Sequence, residues 1–126
     1  MVTSSEVQGI MAMMPAFTTA DGDSVQKRMT VDAQALKASV EKIIQDGVDV
    51  IATTGSFGEF HTLLWEEHQE LIETTVSAVR KLVPVFIGCT SLNTREAVEQ
   101  WAKDIAKNWR DLCQKYPTQA AKAVGT

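Results

Sequence analysis

Paired cysteines, long apolar runs and basic clusters are all missing from this 126-residue sequence, and each absence removes a class of function. The two cysteines, Cys89 and Cys113, lie in different predicted elements with no CxxC spacing, which argues against both a disulfide framework and a thiolate metal site. No window approaches the roughly 18 consecutive apolar residues of a spanning helix, so no membrane partner is expected. The first residues, Met1 to Gln8, hold no basic stretch ahead of an apolar one, and Glu6 stands where a secretory leader avoids charge; a cytoplasmic chain is the expectation. A net charge of −4 gives no footprint for nucleic acid. His61 and His68 are seven positions apart rather than the four of a helical ligand pair, and no metal is expected.

What is present is ordinary globular composition, 44% hydrophobic and 22% charged, in a chain of one domain's length. The run Ile10 to Phe17, broken by Pro15, reads as a buried parallel strand. Thr18 to Met29, with the turn-forming Asp21-Gly22, reads as an exposed loop. From a cap at Thr30 or Asp32, Leu36, Val40, Ile43 and Ile44 recur at helical spacing until Gly47 stops them. Val48 to Ala52 then reads as a second strand and Thr53 to Leu64 as a loop with two glycines. Trp65 to Leu82 repeats the helical pattern, with Glu66 and Glu67 in a first turn that favours negative charge. Pro84 opens a third strand, Val85 to Cys89, and Thr94 can cap a third helix carrying the apolar stripe Val98, Trp101, Ile105, Trp109 and Leu112 up to Pro117. Three β-loop-α units argue for an α/β fold with parallel strands.

Charge divides the chain unevenly. Residues 101–126 hold five basic side chains against Asp104 and Asp111, a balance of +3, which leaves −7 for residues 1–100.

At Gly55-Ser56-Phe57-Gly58-Glu59, followed by Thr62-Leu63 and Glu66-Glu67, the sequence resembles the dihydrodipicolinate synthase and N-acetylneuraminate lyase superfamily of class I pyruvate aldolases. Pro15, Asp46-Gly47-Val48-Asp49, Val83-Pro84-Val85 and Asn93-Thr94-Arg95-Glu96-Ala97 match in the same order, over about residues 9–98. Phe57 in place of the usual second threonine, with Thr90 to Glu96, resembles the hydratase-aldolase branch that acts on benzylidenepyruvates. The resemblance implies part of a TIM (β/α)₈ barrel, of about 250 residues when complete. Residues 1–98 are then the N-terminal part of that barrel and residues 99–126 a long, divergent helical tail.

The resemblance further implies that Ser56, Phe57 and Gly58 hold the carboxylate of pyruvate or another 2-oxo acid, through amides turned toward an anion by the flanking glycines. Ser56 could also pass a proton, while Phe57 could add only its backbone and an apolar wall. Glu59 admits two readings, a general base or a residue tying the loop by hydrogen bonds. The Trp101, Ile105, Trp109 stripe reads as a packing face, and no cofactor is expected.

Members of this superfamily form a Schiff base on a lysine of the sixth strand, assisted by a tyrosine of the fifth. The eight lysines here fall in loops or predicted helices, where a solvated amine near pKa 10.4 is a poor nucleophile. The expectations are therefore no catalytic residue in this chain, a truncated and by itself inactive aldolase, and, as the alternative, a non-catalytic α/β fragment that self-associates.

Overall fold

The computed structural model describes residues 4, 5, 7–88, 94–96 and 98. Its elements are β1 (Met11–Met13), α1 (Ala33–Gln45), β2 (Val50–Thr53), a 3₁₀ turn (Phe60–Thr62), α2 (Trp65–Val79), β3 (Val85–Ile87) and α3 (Thr94–Glu96). Of the predicted third-helix stripe only Val98, 58% exposed, is described; Trp101, Ile105, Trp109, Leu112 and Cys113 lie outside the described residues, as does Cys89.

The strands form one parallel sheet in the order β1-β2-β3, with Ala12 opposite Ile51 and Ile51 opposite Val85. Alternation of side chains divides the sheet into two faces. Ile51 and Val85 point to the side where α1 and α2 pack, and there Met14, Leu36, Val40, Ile51, Leu71 and Val79 make a closed core. The other face carries Met11, Met13 and Phe86, which stay 50%, 37% and 43% exposed. Val50 and Ala52 of the central strand share this face and are buried, so its exposed apolar surface lies on β1 and β3.

Local chemistry sets the helix ends. Asp32 accepts a hydrogen bond from the Ala35 amide at 2.9 Å and starts α1, and Gly47, at φ +94°, takes the left-handed position just past its end. The Glu67 carboxylate caps α2 by accepting from the Leu64 amide at 2.9 Å. The same helix stops at Val79, three residues short of the apolar pattern: Arg80 and Lys81 both turn left-handed, and Leu82 is largely exposed. The left-handed Arg80 caps the helix, and Pro84 keeps only Val83, the residue before it, out of the helical region at the entry to β3. Observed strands are also shorter than the apolar runs that announce them, because only the stretches with parallel partners qualify.

Candidate functional site

β2 ends at Thr53, and the chain leaves the sheet at its carboxyl edge between the ends of its two neighbours. On one side the Met14 amide donates to the Ala52 carbonyl at 2.8 Å, and on the other the Gly88 amide donates to the Thr53 carbonyl at 3.0 Å. The segment from Thr54 to Leu64 therefore starts at the middle of the sheet edge, where loops of α/β proteins gather their binding groups.

The turn is made by an uncommon residue. Thr54 is fully buried and sits at φ +59°, in the left-handed region that a β-branched side chain rarely occupies. Its single O–H is shared between two acceptors, the Thr53 carbonyl at 2.7 Å and the Gly88 carbonyl at 2.9 Å. Glu59, at φ +54°, is the second left-handed residue of the loop. The flanking glycines were expected to supply this freedom, yet neither Gly55 nor Gly58 is left-handed; Gly58 is required by close approach, while a Cβ on Gly55 would meet only the Met13 side chain at 3.4 Å. A Cβ on Gly58 would lie 2.9 Å from the Thr54 nitrogen and 3.1 Å from the Met14 carbonyl oxygen, and one on Gly88 would lie 2.6 Å from the Thr54 carbonyl oxygen.

Four consecutive amides, those of Gly55, Ser56, Phe57 and Gly58, donate to no partner among the described residues. Ser56 is exposed, Phe57 is 68% exposed and Gly58 is buried. Unspent donors on successive residues of a tight turn form a concavity of positive potential, suited to a carboxylate or a similar anion. The Glu59 side chain is exposed and makes no hydrogen bond among the described residues, while its backbone carbonyl accepts from the Thr62 amide and hydroxyl.

The carboxylate that does tie this region together is Glu67, only 3% exposed. Besides capping α2 at Leu64, it accepts from the Thr30 amide at 2.6 Å and from the Thr30 hydroxyl. One acid thus joins the ends of the β1–α1 and β2–α2 loops. Burial pushes its pKa up, and the hydrogen bonds from Thr30 and Leu64 outweigh that and leave it below the usual glutamate value. The sequence shows Glu67 only as a first-turn acid, because its partner Thr30 lies 37 positions away.

His68, one residue on, is fully buried and stacked on Trp65 with ring centroids 5.8 Å apart. Burial lowers its pKa from 6.5 to about 4, against the opposing pull of a hydrogen bond to the Gly88 backbone. It belongs to the scaffold beneath the loop. Among the described residues no three His, Cys, Asp or Glu side chains come together as a metal site, and no helix is long and apolar enough to cross a membrane. The four described lysines, Lys27, Lys37, Lys42 and Lys81, all lie outside the strands.

Known proteins with the same features are numerous. The model of the dihydrodipicolinate synthetase family matches residues 10–111. A trans-O-hydroxybenzylidenepyruvate hydratase-aldolase of Pseudomonas putida is 38% identical over 99 residues, which is 79% of this chain and 30% of that protein. Among solved structures, PhdJ bound to a substrate intermediate superposes with a TM-score of 0.73 at 34% identity, over 76% of this chain and 30% of its own. A chloride-inhibited dihydrodipicolinate synthase of Acinetobacter baumannii, complexed with pyruvate, gives 0.67 at 32% identity, over 78% of this chain and 32% of its own. The chain thus spans about 30% of the length of the relatives it matches. Its three parallel βα units are a portion of their barrel, and the chain belongs to the dihydrodipicolinate synthetase family.

Proposed function

We propose that this chain carries the carboxylate-gripping part of a pyruvate-dependent Schiff-base aldolase, of the hydratase-aldolase kind. The observation that carries the reading is the turn Gly55 to Gly58, with four amides that have no partner among the described residues, at the carboxyl edge of β2 between the ends of β1 and β3. In this reading the amides hold the carboxylate of pyruvate or a related 2-oxo acid. The Ser56 hydroxyl stands ready to relay a proton, and the Phe57 ring forms an apolar wall beside the acceptor. Hydratase-aldolases among the relatives support the aromatic acceptor, and the pyruvate complex among the structures supports the 2-oxo acid.

No lysine of the described strands is placed to become an activated amine, so covalent chemistry is not assigned to this chain. Two measurements separate binding from catalysis. Titration with pyruvate should shift the amide resonances of residues 55–58, whereas pyruvate with borohydride should leave the intact mass unchanged. A stable adduct would overturn the inactive reading, and unmoved amides would overturn the carboxylate reading.

A second reading, a non-catalytic α/β unit that self-associates, is favoured by the uncovered Met11, Met13 and Phe86 face. Sedimentation at rising concentration decides it, since a monomer throughout would remove that reading.

A further inference from the structure

We propose that Thr54 is the positioning residue of the anion turn: its strained backbone and doubly shared hydroxyl hold the Gly55 to Gly58 amides in their binding arrangement before any ligand arrives. The inference rests on the carboxylate reading for its purpose, though not for its geometry.

Three observations converge on this residue. First, a β-branched side chain at φ +59° pays a conformational penalty that a glycine would avoid, and such outliers persist only where the surroundings over-determine them. Second, the surroundings here do so. Thr54 is closed in by Gly58, where a Cβ would come to 2.9 Å of its nitrogen, and by Gly88, where a Cβ would come to 2.6 Å of its oxygen. Third, the strain comes with a contact that glycine could not make. The hydroxyl bridges the Thr53 and Gly88 carbonyls and so fastens the last residue of β2 to the end of β3 at the point where the turn begins.

A free glycine at this position would reach the same φ but would also visit others. The next four amides would then scatter, and ligand binding would have to order them at the expense of affinity. Thr54 orders them in advance. It touches no ligand in this scheme; it acts through the backbone of the residues that follow.

The test uses the whole chain and three substitutions. Thr54→Ser keeps the hydroxyl, Thr54→Val keeps the shape and removes it, and Thr54→Gly removes both hydroxyl and strain. Without ligand, ¹⁵N relaxation should show the amides of residues 55–58 as ordered in the parent and in Thr54→Ser, and loosened in Thr54→Val and Thr54→Gly. With sodium pyruvate as probe and sodium chloride as the matched salt, Thr54→Ser should bind within about twofold of the parent, and the other two at least about tenfold more weakly, the effect of losing one well-placed hydrogen bond and its ordering. Should Thr54→Val fail to fold, Thr54→Gly still decides. Unchanged order at residues 55–58 in a folded variant lacking the hydroxyl overturns the proposal. If the parent itself ignores pyruvate, the carboxylate reading fails instead, and the relaxation data alone decide the role of Thr54.

Discussion

The hydroxyl of Thr53 is buried and has no hydrogen-bond partner among the described residues, whereas that of its neighbour Thr54 sits between two carbonyls. A buried hydroxyl without a partner costs about 1–3 kcal/mol, and valine has nearly the same shape and suits a strand. Thr53→Val is therefore expected to stabilise the fold by roughly 1 kcal/mol, read from urea unfolding; a loss of stability would mean that the hydroxyl is satisfied in solution. His68 makes the opposite case, a titratable ring held neutral by burial. With its folded pKa lowered to about 4 from 6.5, the unfolded chain takes up a proton first as pH falls, so stability is lost from about pH 6.5 down to about 4 and no further below. The loss is on the order of 3 kcal/mol by the pKa difference. Glu67, with its lowered pKa, contributes stability that also disappears as pH falls. The two are separable, because His68→Phe should flatten the slope between pH 6.5 and 4 and leave the carboxylate part at lower pH. The sequence marks the Ser56-Phe57-Gly58 turn through its glycines, yet it conceals Thr54 and Glu67. Both act through partners more than thirty positions away, Gly88 and Thr30, which no local pattern discloses.

Helices were legible because their signals are local: Asp32 as cap, Gly47 as stop and Leu36 with Val40 on one face are all read within a few turns. The exit from α2 was not, since apolar periodicity runs on to Leu82 while the backbone turns left-handed at Arg80 and Lys81. Residues of ordinary type in that conformation cost about 1 kcal/mol each, and Arg80 offsets it only by an exposed ion pair with Glu41 at 3.3 Å. Arg80→Gly is expected to raise the thermal midpoint slightly, by the equivalent of roughly 0.5 kcal/mol. Leu71, on the buried face of α2 and fully enclosed, belongs to the same element and the opposite class of change. Leu71→Ala should cost about 2–5 kcal/mol in chemical unfolding, and a cost under about 1 would show that α2 packs loosely.

Among the described residues, one sheet face is sealed by α1 and α2, while the other leaves Met11, Met13 and Phe86 exposed on the outer strands. Alternation within the strands predicts two faces, but the sequence does not tell which is covered, because Met11, Met13 and Phe86 are as apolar as the residues of the core. Exposed side chains of this kind attract hydrophobic dyes and copies of the same chain. Replacing Met11 and Phe86 together with threonine is expected to reduce dye binding and self-association while leaving the helical circular dichroism intact; unchanged dye binding would locate the sticky surface elsewhere. The sign of the charge balance also changes within the span matched to the family, which extends to residue 111.

Sheet order equal to chain order has a temporal consequence. Each described strand pairs only with the one synthesised just before or after it, so each of these β-units emerging from a ribosome finds its template already made. Assembly can thus keep pace with translation, and the turn after β2 receives its final clasp only once Gly88 has been added.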